Sequence, residues 1–64
     1  MIIREILKAR RIELGISQHD LALHCGFAHR SNISRLEAGS LEWRYRDVEK
    51  ACKLLKLNLQ ISNL

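Results

Sequence analysis

Residues 17–39 read SQHDLALHCGFAHRSNISRLEAG and predict two short helices joined by a tight turn. Ser17 is a favourable N-cap, because its hydroxyl can accept a hydrogen bond from a free backbone N–H of the first turn. Gly26 stands where the first helix must end, since glycine adopts the left-handed backbone of a helix C-cap without a steric penalty. Ile33 and Leu36 follow at a spacing of three residues and place an apolar stripe on the second helix.

The side chains expected on the outer face of the second helix are polar or basic. They are His29, Arg30, Ser31, Asn32, Ser34 and Arg35. Hydroxyl, amide and guanidinium groups hydrogen-bond to base edges and phosphates, and this set contains no carboxylate. The pattern is that of a helix-turn-helix whose second helix enters the major groove of DNA. The alternative is an ordinary helical hairpin with a solvated polar face, because the motif is degenerate.

The order of the motifs resembles the Cro/CI-type (XRE-like) helix-turn-helix regulators, which include phage repressors, restriction controller proteins and many antitoxins. The resemblance covers nearly the whole chain. It is carried by Arg11 four residues before Gly15, Gly15-Ile16-Ser17-Gln18, Leu21-Ala22, Gly26-Phe27 and Ile33-Ser34-Arg35-Leu36-Glu37-Ala38-Gly39. One departure is that Gly26 and Ile33 stand seven positions apart, where the family usually has six. We therefore expect a turn that is one residue longer.

The resemblance implies an all-α, lambda-repressor-like helix-turn-helix domain of four to five helices plus a short C-terminal β-strand. It also implies that Arg11 forms a partly buried ion pair with Glu37, tying the first helix of the chain to the end of the second motif helix. The alternative for this pair is two solvated surface charges. Gln18, at the start of the first motif helix, is expected to bind a phosphate with the help of the helix dipole.

Chain length and net charge limit the number of domains and the kinds of partner that the sequence allows. The chain of 64 residues predicts a single domain over 1–64, and a domain this small buries so little surface that dimerisation would help to stabilise it. A formal net charge of +4 favours a polyanionic partner. Cys25 and Cys52 are predicted to be small apolar core residues of a reduced, cytoplasmic protein, since no signal peptide or membrane-spanning run is present.

Two further helices are predicted, an N-terminal one over about Ile2–Leu14 and a last one over about Arg46–Leu55. Ile3, Leu7 and Leu14 share one face of the former, with Ile6 beside them, while Val48, Ala51, Cys52 and Leu55 form the stripe of the latter. Residues 40–45 are predicted to be a linker in which Trp43 covers the core. Arg44 and Arg46 are candidates for phosphate contacts, because the resemblance implies that this loop lies along the DNA backbone.

Residues 57–62 change to a period of two, which predicts a half-buried strand. Leu57, Leu59 and Ile61 share one side of it. A lone strand lacks a hydrogen-bonding partner, so we expect it to pair with the same strand of a second subunit at a homodimer interface. The resemblance adds that HipB-type antitoxins end in such a strand. The alternative is a frayed tail whose alternation is accidental.

Other chemistry is not expected. His19, His24, Cys25 and His29 lack the paired spacing of a metal site, so neither a metal nor another cofactor is predicted. No catalytic triad, phosphate-binding glycine loop or carboxylate pair indicates an enzyme.

The sequence therefore predicts a homodimeric, sequence-specific DNA-binding transcriptional repressor that acts on a palindromic operator, as the autoregulating antitoxin of a toxin–antitoxin pair. Its expected partners are double-stranded DNA, a second copy of the chain and a cognate toxin. The alternatives are a module whose main role is to neutralise a toxin, and a phage repressor or restriction controller protein.

Overall fold

The structure is a computed structural model that describes residues 3–57. Within that range it contains four helices and no strand: α1 (Ile3–Glu13), α2 (Gln18–Cys25), α3 (Ser31–Ala38) and α4 (Tyr45–Leu55). Both α1 and α2 pack against α3 and α4. The predicted all-α helix-turn-helix architecture is thus confirmed for the described residues. None of the four helices could cross a membrane.

The boundaries of two helices differ from those predicted. α1 ends at Glu13 and not at Leu14, because the left-handed Gly15 (φ 72°) turns the chain and lets Ile16 N–H donate to the Arg11 carbonyl at 3.0 Å. α4 begins at Tyr45, one residue earlier than predicted, which shortens the linker. Of the predicted strand over 57–62, Leu57 is described and has no regular structure, and residues 58–62 lie outside the described range.

The core is built from one apolar stripe on each helix. Its buried residues are Leu7, Leu21, Ala22, Cys25, Ile33, Leu36, Val48, Ala51, Cys52 and Leu55. The stripe predicted for α1 is only partly correct, because Ile3 and Leu14 remain 39% and 36% exposed. They stand at the two ends of that stripe, and only Leu7, near its middle, is fully covered. Trp43 packs against the core as predicted.

Both cysteines are free and buried, as predicted for apolar core residues. Burial raises the pKa of the Cys25 thiol from 9.0 to about 11, and the nearby carboxylate of Asp47 adds to the shift. Burial also raises the pKa of the Cys52 thiol. Both side chains therefore stay protonated at neutral pH and act through packing.

Glu37 is the only buried charged residue among those described. Its Oε2 accepts a hydrogen bond from Arg11 Nε at 2.7 Å, and its Oε1 accepts one from Arg11 Nη2 at 3.1 Å. The side chains of Arg11 and Glu37 are only 12% and 4% exposed. The structure therefore contains the ion pair that the resemblance implied, in a bidentate and shielded form. Arg11 Nη1 also donates to the Ile16 carbonyl at 2.9 Å, which holds the loop between α1 and α2.

Three further cations lie at the C-terminal ends of helices to which they do not belong. Arg10 Nε donates to the Leu55 carbonyl of α4 at 2.9 Å, and Lys50 Nζ donates to the Cys25 carbonyl of α2 at 3.5 Å. The guanidinium of Arg4 lies against Gly39 at the end of α3, where a Cβ atom would come within 3.2 Å of it. Arg10 and Lys50 thereby satisfy free carbonyls, and all three cations oppose the partial negative charge of a helix dipole.

We expect Glu37→Ala to lower the free energy of unfolding by about 3–5 kcal/mol, because it leaves the shielded Arg11 guanidinium without its carboxylate partner. Urea titration followed by circular dichroism measures this change. In a domain of this size such a loss is most of the total stability.

The matched control is Glu13→Ala, which breaks the exposed pair of Glu13 with Arg10 (2.9 Å; side chains 67% and 29% exposed). It should cost about 0–1 kcal/mol. Equal losses for the two variants would contradict a special role for the buried pair.

The raised pKa of Cys25 predicts a direction of pH dependence. The unfolded thiol loses its proton near pH 9.0 and the native thiol near pH 11, so the native state binds more protons between these values. The stability due to this thiol is complete below pH 9 and is lost as the pH rises towards 11. Wild-type protein should therefore lose more stability over this range than Cys25→Ala. Parallel pH profiles of the two proteins would contradict the shift.

Candidate nucleic-acid interface

The start of α2 is held by a side-chain cap. Ser17 has an extended backbone (φ −77°, ψ 161°), and its Oγ accepts a hydrogen bond from the backbone N–H of Asp20 at 3.0 Å. The helix ends at Gly26, whose left-handed backbone (φ 83°) directs its N–H to the carbonyls of Ala22 and Leu23. Both caps agree with the sequence prediction. The left-handed Gly26 sets the direction in which the chain enters the turn before α3.

The turn between α2 and α3 comprises residues 26–30 and winds gradually into α3. Arg30 already has a right-handed helical backbone (φ −63°, ψ −21°), and Asn32 N–H donates to the His29 carbonyl at 3.1 Å. No side chain caps the start of α3. His29 and Arg30 are exposed and directly precede the first residue of α3.

The outer face of α3 consists of Arg30, Ser31, Ser34 and Arg35, all of them exposed. Ile33, Leu36 and Glu37 occupy the opposite face and are buried. Asn32 stands between the two faces and is half-buried. The outer face therefore presents two guanidinium groups and two hydroxyls and includes no carboxylate. These groups can donate to phosphate oxygens and to acceptors on base edges.

Asn32 and Arg44, twelve positions apart in the sequence, line the same surface hollow of about 460 Å³. Its apolar wall includes Phe27, Leu36 and Leu41, and Glu42 and Asp47 contribute two carboxylates. Arg44 is exposed and precedes α4 with an extended backbone (φ −87°, ψ 149°), and Arg46 is exposed in the first turn of that helix. The fold thus brings the start of α4 beside Asn32 of α3.

Some of the basic side chains contact other parts of the domain, and others are free on the surface. Four of the eleven lysines and arginines make such contacts: Arg4, Arg10, Arg11 and Lys50. Of the seven that remain, four are the exposed arginines at positions 30, 35, 44 and 46. The free cationic charge is therefore concentrated on α3 and at the start of α4.

Gln18 is the first residue of α2 and is half-buried. Its Nε2 donates to Glu37 Oε1 at 3.0 Å. The sequence prediction for Gln18 concerned a phosphate and missed this contact. Little in the sequence indicated this contact, because the two residues are nineteen positions apart. The one indication was the implied pair of Arg11 with Glu37, which predicted a partly buried carboxylate at the end of the second motif helix.

The remaining polar candidates do not form a second site. His19 and His24 are exposed on α2. Within residues 3–57, no three histidine, cysteine or acidic side chains come together in a way that could hold a metal ion. The indole Nε1 of Trp43 is buried and has no hydrogen-bond partner among the described residues.

Comparison with known proteins agrees with this geometry. Residues 3–60 match the family model described as a helix-turn-helix domain. Neither the curated proteins nor the solved structures contain a match to the chain. The family match covers most of the chain and includes both motif helices and the helices packed on them, so this chain belongs to the helix-turn-helix domain family.

Proposed function

We propose that this helix-turn-helix protein is a sequence-specific transcriptional repressor that binds a palindromic operator as a homodimer. The single observation that carries the proposal is the carboxylate-free outer face of α3, with exposed Arg30, Ser31, Ser34 and Arg35. A repressor needs only to occupy its operator and block access to it, so a domain without a catalytic role is sufficient. A cytoplasmic location is part of this proposal.

The proposed DNA contacts divide into two roles. Arg30, Ser31 and Asn32, at the start of α3, read base edges in the major groove, and Arg35 contacts DNA one turn further along. Arginine suits guanine best, because its fork donates to both O6 and N7. Arg44 and Arg46 bind phosphates, as do Gln18 and His29. Phosphate contacts set the position of the protein on the duplex, and base contacts choose the sequence.

Dimerisation is supported by the small core and by the alternation over 57–62. Leu57, Leu59 and Ile61 are the proposed contacts, through strands that pair across a two-fold axis. Two copies of α3 would then lie about 34 Å apart, one helical turn of DNA, and read the two halves of a palindrome.

Within this proposal the chain is the autoregulating antitoxin of a toxin–antitoxin pair. The support is the resemblance of its C-terminal pattern to HipB-type antitoxins, and the partner is a cognate toxin. Co-expression with the product of an adjacent toxin-type gene tests this role. Neutralisation of the toxin should occur together with binding of DNA upstream of the two genes. Toxin neutralisation without DNA binding would make protein binding the main role.

Substitutions should separate base readers from phosphate contacts. Arg30→Ala should weaken binding by about 1–3 kcal/mol and relax the choice at one base pair, because it removes a bidentate contact. Arg44→Ala should weaken binding to all sequences alike and lower the slope of log K against log salt by about one. Fluorescence anisotropy on a duplex selected from a random library by the wild-type protein measures both.

Lys53→Ala is the matched control, because Lys53 is an exposed cation in the last turn of α4, about 10 Å along the helix from Arg46. It should leave both affinity and slope nearly unchanged. A uniform loss across all sequences for Arg30→Ala would contradict its role as a base reader. Failure of the wild-type protein to select any sequence would contradict the proposed function.

Sedimentation should show wild-type protein at twice its mass of 7.4 kDa, and Leu59→Asp at the monomer mass. A carboxylate on the apolar side of the proposed strand would be buried in the interface without a partner. Loss of the dimer should also weaken operator binding. A monomeric wild-type protein at concentrations that saturate the operator would contradict this interface.

A further inference from the structure

The surface hollow of about 460 Å³ is lined by residues of α3, of the loop before α4 and of the first turn of α4. Pockets that bind small molecules have volumes of roughly 300–1,000 Å³ and combine an apolar wall with a few polar groups. Phe27, Leu36 and Leu41 provide the apolar wall here. The hollow therefore has the size and the mixed lining of a site for a small organic molecule.

The charged groups of the hollow are of both signs. Glu42 and Asp47 contribute carboxylates, Arg44 contributes a guanidinium, and Asn32 contributes an amide that can both donate and accept. Neither ion pair found within residues 3–57 involves any of these three charged side chains. Their charges are therefore available to a ligand.

A ligand that complements this lining needs an ammonium group for the carboxylates, a carboxylate for the guanidinium and an apolar body for the wall. A carboxylate binds a guanidinium through two parallel hydrogen bonds, and an ammonium group donates up to three. A free α-amino acid carries both charged groups on one carbon atom, and its side chain supplies the apolar body. An aromatic side chain can also pack against the ring of Phe27. A phosphate-bearing ligand fits less well, because two of the three charges of the hollow are negative.

From this lining we infer that the surface hollow binds a free α-amino acid with a large apolar side chain, and that this ligand weakens binding to DNA. The ligand site rests on the hollow alone, and its effect on DNA rests on the proposed function. Arg44 and Asn32 are both proposed DNA contacts, the first to a phosphate and the second to a base edge. An amino acid that occupies these two side chains withdraws them from the duplex, so the ligand and the operator compete.

A nuclear magnetic resonance titration of the wild-type protein tests the ligand site. The probe is phenylalanine, and the matched ligands are phenethylamine, which lacks the carboxylate, and hydrocinnamate, which lacks the ammonium group. Phenylalanine should shift the backbone amide signals of Leu41, Glu42 and Arg44 and leave that of Glu13, which does not line the hollow, in place. Each matched ligand should bind roughly ten-fold more weakly, because it lacks one charge-assisted contact.

Fluorescence anisotropy on the selected duplex tests the effect on DNA. Saturating phenylalanine should weaken the binding of DNA to the wild-type protein roughly ten-fold, a typical coupling between two ligands. Glu42→Gln removes one charge from the hollow at an exposed position and nearly preserves its shape. This variant should need a roughly ten-fold higher concentration of phenylalanine for half of the effect, because one charge-assisted contact is lost.

Glu49→Gln is the matched control, because Glu49 is also exposed and lies two positions after Asp47 but does not line the hollow. Its half-effective concentration of phenylalanine should equal that of the wild-type protein. Each protein is compared with and without phenylalanine, so a change in its own affinity for DNA does not enter the result.

Each other outcome has one meaning. A lack of shifts at the hollow at any soluble concentration of phenylalanine, or equal half-effective concentrations for Glu42→Gln and the wild-type protein, would overturn the site. Equal binding of phenethylamine or hydrocinnamate would overturn the assignment of an amino acid. Binding of phenylalanine without a change in the affinity for DNA would overturn the competition. A wild-type protein that selects no duplex would overturn the proposed function itself, and the titration would still decide whether the hollow binds an amino acid.

Discussion

The rest of the structure depends on the bidentate hydrogen bonds between Arg11 and Glu37. The pair is shielded from water on both sides, and its carboxylate accepts three hydrogen bonds while its guanidinium makes a further one to the Ile16 carbonyl. These contacts join α1, the loop after it, α2 and α3 at one point. A buried charge destabilises the fold unless it is paired and hydrogen-bonded. Displacing any of the four segments would break some of these hydrogen bonds, so the pair fixes the segments in one geometry. In a chain this small, such a constraint compensates for a limited core.

Three other cations also make contacts within the fold. Arg10 and Lys50 donate to carbonyls at the C-terminal ends of α4 and α2, and the Arg4 guanidinium lies against Gly39 at the end of α3. The net charge of the chain therefore overstates the number of cations that are free to contact a polyanion. The charge that remains free is not spread evenly, because four exposed arginines lie between positions 30 and 46. The electrostatic argument for DNA rests on this concentration more than on the total of +4.

The ion pair also connects the two helices of the motif. Glu37 belongs to α3 through its backbone and to α2 through the amide of Gln18.

Much of the fold follows from local rules that act within a few residues. Ser17 as an N-cap, Gly26 as a left-handed C-cap and the apolar stripe of α4 are all visible in the sequence, because capping and periodicity depend only on near neighbours. The outer face of α3 is predictable for the same reason. Local rules predicted the burial of Ile3 and Leu14 incorrectly, because burial depends on whether another helix covers the side chain.

By itself the sequence determined that four helices form, both caps of α2 and most of the side chains on the outer face of α3. The tertiary structure alone decided which cations the fold uses, that Gln18 meets Glu37, and that Asn32 and Arg44 line one hollow. The physical reason is distance along the chain. Contacts between residues 12 to 45 positions apart arise only when packed helices bring them together. Neither the hydrophobic periodicity nor the capping residues of a helix indicate such contacts.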